Sequence, residues 1–218
     1  MTYSVKEMFY TLQGEGAQAG RPSVFCRFAG CNLWSGREED RASAVCSFCD
    51  TDFVGTDGPG GGKFKTAADL ASAIIAQWPM GAGGTPYVVF TGGEPGLQLT
   101  EELIDTLHRA GFECAVETNG TQQLPSNLDW VCLSPKGASE VILTRCDELK
   151  LVFPQPEAPP ERFNTVNARY RFLSPLNPWG EEVILPARQD STRAAIEYCL
   201  AHPDWRLTIQ MHKVVNIA

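Results

Sequence analysis

The sequence has no apolar run approaching twenty residues, which excludes a conventional membrane-spanning helix. Its opening stretch, MTYSVKEMFYTLQGEG, lacks the basic-then-apolar order of an export signal, so a soluble, cytoplasmic protein is expected. Positive charge is also scarce: 18 Lys and Arg stand against 26 Asp and Glu, a formal net charge of −8. Nucleic acids are bound by replacing condensed counterions with protein cations, so this balance argues against DNA or RNA and for a small-molecule partner. No internal repeat is visible, and nothing suggests a solenoid or array.

Cysteine, by contrast, is plentiful: there are 8 in 218 residues. Without an export signal these read as metal ligands and buried thiols rather than as a disulfide framework. Three of them, Cys31, Cys46 and Cys49, form a C-x14-C-x2-C pattern. Three thiolates can hold three irons of a four-iron cluster and leave the fourth open to a ligand, a catalytic arrangement. Cys26 extends the pattern to C-x4-C-x14-C-x2-C, which would equally close a structural zinc site. On spacing alone both readings stand. The neighbours of Cys26, in Ser23-Val24-Phe25-Cys26-Arg27-Phe28, suggest a strand entering the core, where its thiol would be a small buried hydrophobe.

With 43% hydrophobic residues the chain is long enough for one sizeable core, and a single domain over residues 1–218 is expected. Short apolar runs alternate with amphipathic ones, the rhythm of an α/β fold with predominantly parallel strands. Candidate strands are Ser23–Phe28, Tyr87–Phe90, Glu113–Glu117, Trp130–Leu133, Leu149–Phe153, Tyr170–Leu173 and Arg206–Met211. Thr66 can cap a helix through Leu70, Ile74 and Trp78 that stops at Pro79, and Thr100 a second through Leu103, Ile104 and Leu107 that leaves at Gly111. A third starts at Ser191. A full eight-unit barrel takes about 250 residues, so a truncated, partial TIM-like β/α barrel with some helices lost is expected. Gly55–Gly62, GTDGPGGG, has the composition of a mobile surface loop.

Three polar segments follow the carboxyl ends of predicted strands, where barrel active sites are built: Thr91-Gly92-Gly93-Glu94-Pro95, Glu117-Thr118-Asn119-Gly120 and Ser134-Pro135-Lys136. Each alone reads as an ordinary turn. Their equivalent positions imply convergence on one rim.

The cysteine loop followed about forty residues later by TGGEP resembles the radical S-adenosylmethionine enzymes. Most of that superfamily use C-x3-C-x2-C. The expanded loop, Cys49-Asp50-Thr51, Phe9-Tyr10-Thr11-Leu12-Gln13-Gly14-Glu15-Gly16 and the terminal His212-Lys213-Val214-Val215-Asn216-Ile217 narrow the resemblance to the 7-carboxy-7-deazaguanine synthases of queuosine biosynthesis. It spans nearly the whole chain.

The resemblance implies a 4Fe-4S cluster on Cys31, Cys46 and Cys49 whose open iron chelates S-adenosyl-L-methionine and cleaves it to a 5′-deoxyadenosyl radical. Phe48, Asp50, Gly92, Gly93, Glu94, Ser134, Pro135, Lys136 and Ser174 are expected around that cofactor, with the Glu94 carboxylate pairing its cationic amino group. The implied substrate is 6-carboxy-5,6,7,8-tetrahydropterin, which loses a hydrogen from C6, contracts its ring and releases ammonia. Leu12, Gln13, Gly14, Glu15, Arg27, Thr91, His212 and the terminal Ala218 are expected to bind it, and Thr51 to ligate a magnesium ion beside its carboxylate. A flavodoxin-type electron donor and a homodimer are implied as well. The chain departs from the family in reading Ser174-Pro175-Leu176 where Gln-Pro-Met is usual, and in ending Asn216-Ile217-Ala218 where Asn-Ile-Pro is common. A radical enzyme of the same superfamily with another substrate, and a zinc-stabilised α/β binding protein, are the competing readings.

Overall fold

One sheet runs through every strand of the computed structural model, which describes residues 2–176 and 185–217, with the side chains of 185–189 left aside. Strand β1, Tyr3–Leu12, pairs antiparallel with β2, Pro22–Phe28, and with the short β3, Gly62–Phe64. From β2 onward every pairing is parallel: β4 (Tyr87–Gly92), β5 (Glu113–Thr118), β6 (Trp130–Leu133), β7 (Arg145–Phe153), β8 (Asn167–Pro175) and β9 (Arg206–Leu207) follow in sequence order. Helices lie on three of the parallel crossovers: α1 (Ala67–Gln77) before β4, α2 (Glu101–Arg109) before β5 and α3 (Leu185–Ala201) before β9. A short α4, Met211–Val215, follows β9. The links from β5 to β6 and from β6 to β7 carry none, as expected of a partial β/α barrel.

Local signals explain the helix starts. Thr66 accepts from the Asp69 N–H while Asp69 accepts from the Thr66 N–H, a complete capping box for α1. Thr100 accepts from the Leu103 N–H to cap α2, and Gly111 just beyond its end takes a left-handed φ of 84°. α3 begins earlier than Ser191, whose hydroxyl donates to the Leu176 carbonyl instead of capping. The last strand stops at Leu207, short of the expected Met211, because Met211 opens α4 and donates its N–H to the Gly14 carbonyl. Gly55–Gly62 is not a free loop. Gly58 N–H donates to the Lys6 carbonyl, the Pro59 carbonyl accepts from Met8 N–H, and the segment ends in β3.

Strand alternation divides the core into two faces. Val88 and Phe90 of β4, with Cys114 and Val116 of β5, pack toward α1 and α2 with Leu70, Ile74, Leu103, Ile104 and Leu107. Tyr87, Val89 and Ala115 form a small cluster on the opposite, concave face with Phe25 and Trp130. A second large cluster joins Leu149, Leu151 and Leu173 to Ala195 and Trp205. The same alternation that buries Leu149 and Leu151 there sends Glu148 and Lys150 to the concave side. No helix among the described residues is long and apolar enough to cross a membrane.

Candidate active site

The carboxyl ends of the parallel strands open into two adjoining chambers. The first, of about 220 Å³, is lined by Cys31, Cys46 and Cys49 together with Phe48, Asp50, Thr51, Gly92, Gly93, Ser134, Lys136 and Ser174. The second, of about 430 Å³, is lined by Leu12, Gln13, Gly14, Arg27 and His212. Glu15, Asp50, Thr51, Thr91, Glu117, Lys150 and Gln210 belong to both. The three polar strand-end segments therefore meet on one rim.

Three thiols share the first chamber, and none is in a disulfide. Cys46 is 5% exposed and lies beside Cys49. The Cys46 thiol is the main influence lowering the Cys49 pKa, to about 6, and Cys49 in turn raises that of Cys46. Burial raises Cys31, against which the Leu33 N–H donates to its sulfur at 3.4 Å. Three soft sulfur donors lining one chamber are the ligand type that iron–sulfur clusters take. Cys26 is elsewhere. It is fully buried on the helix side of β2, opposite Met8 and Phe90, and burial keeps its thiol protonated far above the usual range. A four-cysteine zinc site does not form.

The long loop between Cys31 and Cys46 has an internal scaffold. Trp34 packs edge-on against Phe53 with centroids 5.6 Å apart, and the Arg41 guanidinium lies 4.2 Å over the Trp34 ring. Arg41 also donates to the Ser47 and Cys49 carbonyls, each at 2.9 Å, so one cation fixes the backbone that carries the cysteine pair.

Two residues expected at the cofactor are not on the wall. Glu94 has no exposed surface and its carboxylate lies behind the Gly92-Gly93 turn, accepting from Thr118 Oγ1 at 2.6 Å, Asn119 N at 2.7 Å and Gly96 N at 2.8 Å. It stitches the end of β4 to the end of β5. Pro135 turns its carbonyl to Gln155 Nε2 at 3.4 Å, away from the chamber. Gly92 has φ 133°, and a Cβ on Gly93 would strike the Gly30 carbonyl, so both positions require glycine. Lys136 folds back on Ser134, donating to its carbonyl at 2.7 Å and to its hydroxyl at 2.5 Å. Ser174 lines the first chamber, yet its hydroxyl donates to Glu15 Oε1 at 2.9 Å.

In the second chamber the strand-end segment 13–17 is held from below. Gly16 N–H donates to Thr208 Oγ1 at 2.9 Å, Ala17 N–H to Glu148 Oε2 at 2.8 Å, and His212 packs so closely over Gly14 that a Cβ there would meet its ring. Burial lowers the pKa of His212, favouring the neutral imidazole. Arg27 pairs with Glu7 at 2.7 Å. Asp50 is paired with Lys213 at 2.6 Å and Asp52 with Lys6 at 2.8 Å. Thr51 stands between these two occupied carboxylates and faces both chambers, an oxygen donor suited to magnesium, which keeps most of its waters. Ala218 lies outside the described residues.

Sequence reading missed Lys150 and the site role of Glu117. Lys150 is 6% exposed and donates to Glu15 Oε2 at 2.9 Å and to Glu117 Oε2 at 2.9 Å. Burial works against its ammonium, but Cys132, Glu117, Glu15 and Glu148 outweigh it and raise its pKa well above the ordinary value. Glu15 responds in kind: burial would raise it, and Lys150 holds it below the usual carboxylate range. A lone lysine inside the apolar run LKLVF was the available signal.

No family model matches the chain. Over 220 residues it is 58% identical to the 7-carboxy-7-deazaguanine synthase of Bordetella pertussis, and over 217 residues 57% identical to that of Caulobacter vibrioides, with 100% of both partners covered in each case. The crystal structure of QueE from Escherichia coli superposes with a TM-score of 0.72 at 32% identity, covering 97% of this chain and 95% of that one. With like architecture along almost its whole length and more than half its residues shared with such relatives, the chain belongs to the 7-carboxy-7-deazaguanine synthase family.

Proposed function

We infer that the chain converts 6-carboxy-5,6,7,8-tetrahydropterin, with loss of ammonia, to 7-carboxy-7-deazaguanine, the product its relatives are named for. The observation that carries the reading is the shared wall. A chamber with three cysteine sulfurs opens directly onto a polar chamber through Glu15, Thr51, Thr91 and Glu117.

Cys31, Cys46 and Cys49 would hold a 4Fe-4S cluster and leave one iron for S-adenosyl-L-methionine. When bound, these groups supply one-electron reductive cleavage of a sulfonium and, from it, abstraction of a substrate hydrogen. The chain's own residues do the placing. Gly92 and Gly93 let the end of β4 pack directly against the backbone of Phe28 and Gly30, beside Cys31, and Glu94 keeps that turn fixed against β5. Phe48, Asp50, Ser134 and Lys136 would line the remainder of the cofactor's site, with Trp34, Phe53 and Leu176 as its apolar walls. On the other side, Gln13 and Glu15 meet the nitrogen edge of the pterin. Arg27 and His212 would take its carboxylate, and Thr51 would supply an oxygen to a magnesium ion there. A homodimer, a flavodoxin-type donor and a cytoplasmic location belong to the same proposal; a monomer by light scattering would remove the first.

Incubating the reduced, cluster-loaded protein with the carboxytetrahydropterin, S-adenosylmethionine and magnesium is expected to yield the deazapurine by mass analysis. Turnover of S-adenosylmethionine without that product would move the chain to another substrate. Thr51→Ala is expected to raise the magnesium concentration for half-maximal activity by about tenfold, the loss of one oxygen ligand, with iron content unchanged. An unaltered magnesium dependence would remove Thr51 from the site.

A further inference from the structure

Lys150 occupies the junction of the two chambers, and the reading above gives it no task. Its ammonium bridges two carboxylates, Glu15 and Glu117, each at 2.9 Å. The outer oxygen of Glu15 accepts from Ser174 at 2.9 Å, and Glu117 Oε1 accepts from Gln13 Nε2 at 3.2 Å. Ser174, Glu15, Lys150, Glu117 and Gln13 thus form one continuous chain across the floor of the cleft. Glu148, two residues back on the same face of β7, is committed to the Ala17 N–H.

Two neighbouring buried carboxylates repel, and without a cation one of them takes up a proton and becomes a donor. A pterin of the proposed substrate class presents the opposite requirement: its exocyclic 2-amino group and ring N3–H are adjacent donors and need acceptors. We propose that Lys150 is a positioning and specificity residue, locking Glu15 and Glu117 together as a paired acceptor surface for the 2-amino-4-oxopyrimidine edge of the substrate. It acts through the two carboxylates and does not itself touch the ligand. The inference rests on the pterin reading above and adds to it how the pterin edge is selected.

The test compares 6-carboxypterin with 6-carboxylumazine, which carries an oxo group in place of the 2-amino group. Binding of each is measured by calorimetry to cluster-loaded protein with S-adenosylmethionine and without reductant. The unmodified protein is expected to prefer the pterin by ~100-fold, as a site built to accept a ligand N–H rejects an analogue lacking it. Lys150→Met is expected to weaken the pterin by ~30-fold and the lumazine by less than ~3-fold, collapsing the preference. Lys150→Arg keeps the charge and is expected to retain most of it. Equal losses on both ligands, with the preference intact, would reduce Lys150 to a structural part and overturn the proposal. Should Lys150→Met not fold, Lys150→Gln takes its place in the same comparison. If the unmodified protein binds neither ligand, the pterin reading falls and takes this inference with it; loss of the Lys150 effect alone leaves that reading standing.

Discussion

Cys46→Ala, purified without oxygen, is expected to be nearly colourless and almost free of iron, whereas Cys26→Ala stays brown with on the order of four irons per chain. The contrast follows from where strand β2 puts one sulfur and the cysteine loop the other. Cys46 faces the cleft beside Cys49, and its loss removes one of the three proposed cluster ligands. Cys26 points to the opposite side of the sheet, among Val24, Phe28 and Phe90. Removing its sulfur leaves a small cavity at a cost of about 1–2 kcal/mol, felt in the melting temperature and not in the ~400 nm absorbance. A colourless Cys26→Ala protein, or one zinc in place of iron in the unmodified protein, would overturn the assignment of thiols.

Gly93→Ala comes next in expected effect. The new methyl group would run into the Gly30 carbonyl and lie 2.9 Å from the Cys31 Cβ, with backbone rather than a flexible side chain in the way. Gly93 and Glu94 also donate their N–H groups to Phe28 at 3.2 Å and Gly30 at 3.0 Å, so the two chain segments have little freedom to part. Cys31 must shift. Iron content is expected to fall below about half, with overpacking costing about 1–3 kcal/mol. Gly111→Ala is the control: its φ of 84° strains an alanine by a comparable local amount, but no neighbour lies within 4 Å and the cysteines are far along the chain. A Gly93→Ala protein with full iron would show that the turn and Cys31 are not mechanically joined.

Much of this site was written in short-range pattern. The cysteine spacing, the glycines after β4 and the strand-end polar triplets all precede or follow apolar runs whose period is clear, and the structure gathers them on one rim. β1 escaped because its pairing register shifts between Val5 and Glu7, which breaks the alternation of YSVKEMFYTL and leaves Lys6 buried. β3 has only three residues. Gly55–Gly62 misled by composition, since its glycines serve close backbone approach to Lys6 and Met8 and not freedom of motion. Lys150 was illegible as a site residue because its two partners lie 135 and 33 positions away, and only the fold brings those carboxylates to it.

The fourteen residues between Cys31 and Cys46 divide into halves with different obligations. From Arg41 onward the chain is sewn to the cysteine pair through two carbonyls and the Trp34 ring. Glu38, Glu39 and Asp40, just before it, are exposed and bond mainly to their immediate neighbours. The turn is thus a handle attached to the end of the molecule that carries the three cysteines. A peptide tag, a dye or a surface anchor carried on the Glu39 side chain, with Glu38 left in place to hold Arg41 at 2.6 Å, would sit beside the three cysteines without loosening the backbone that carries them.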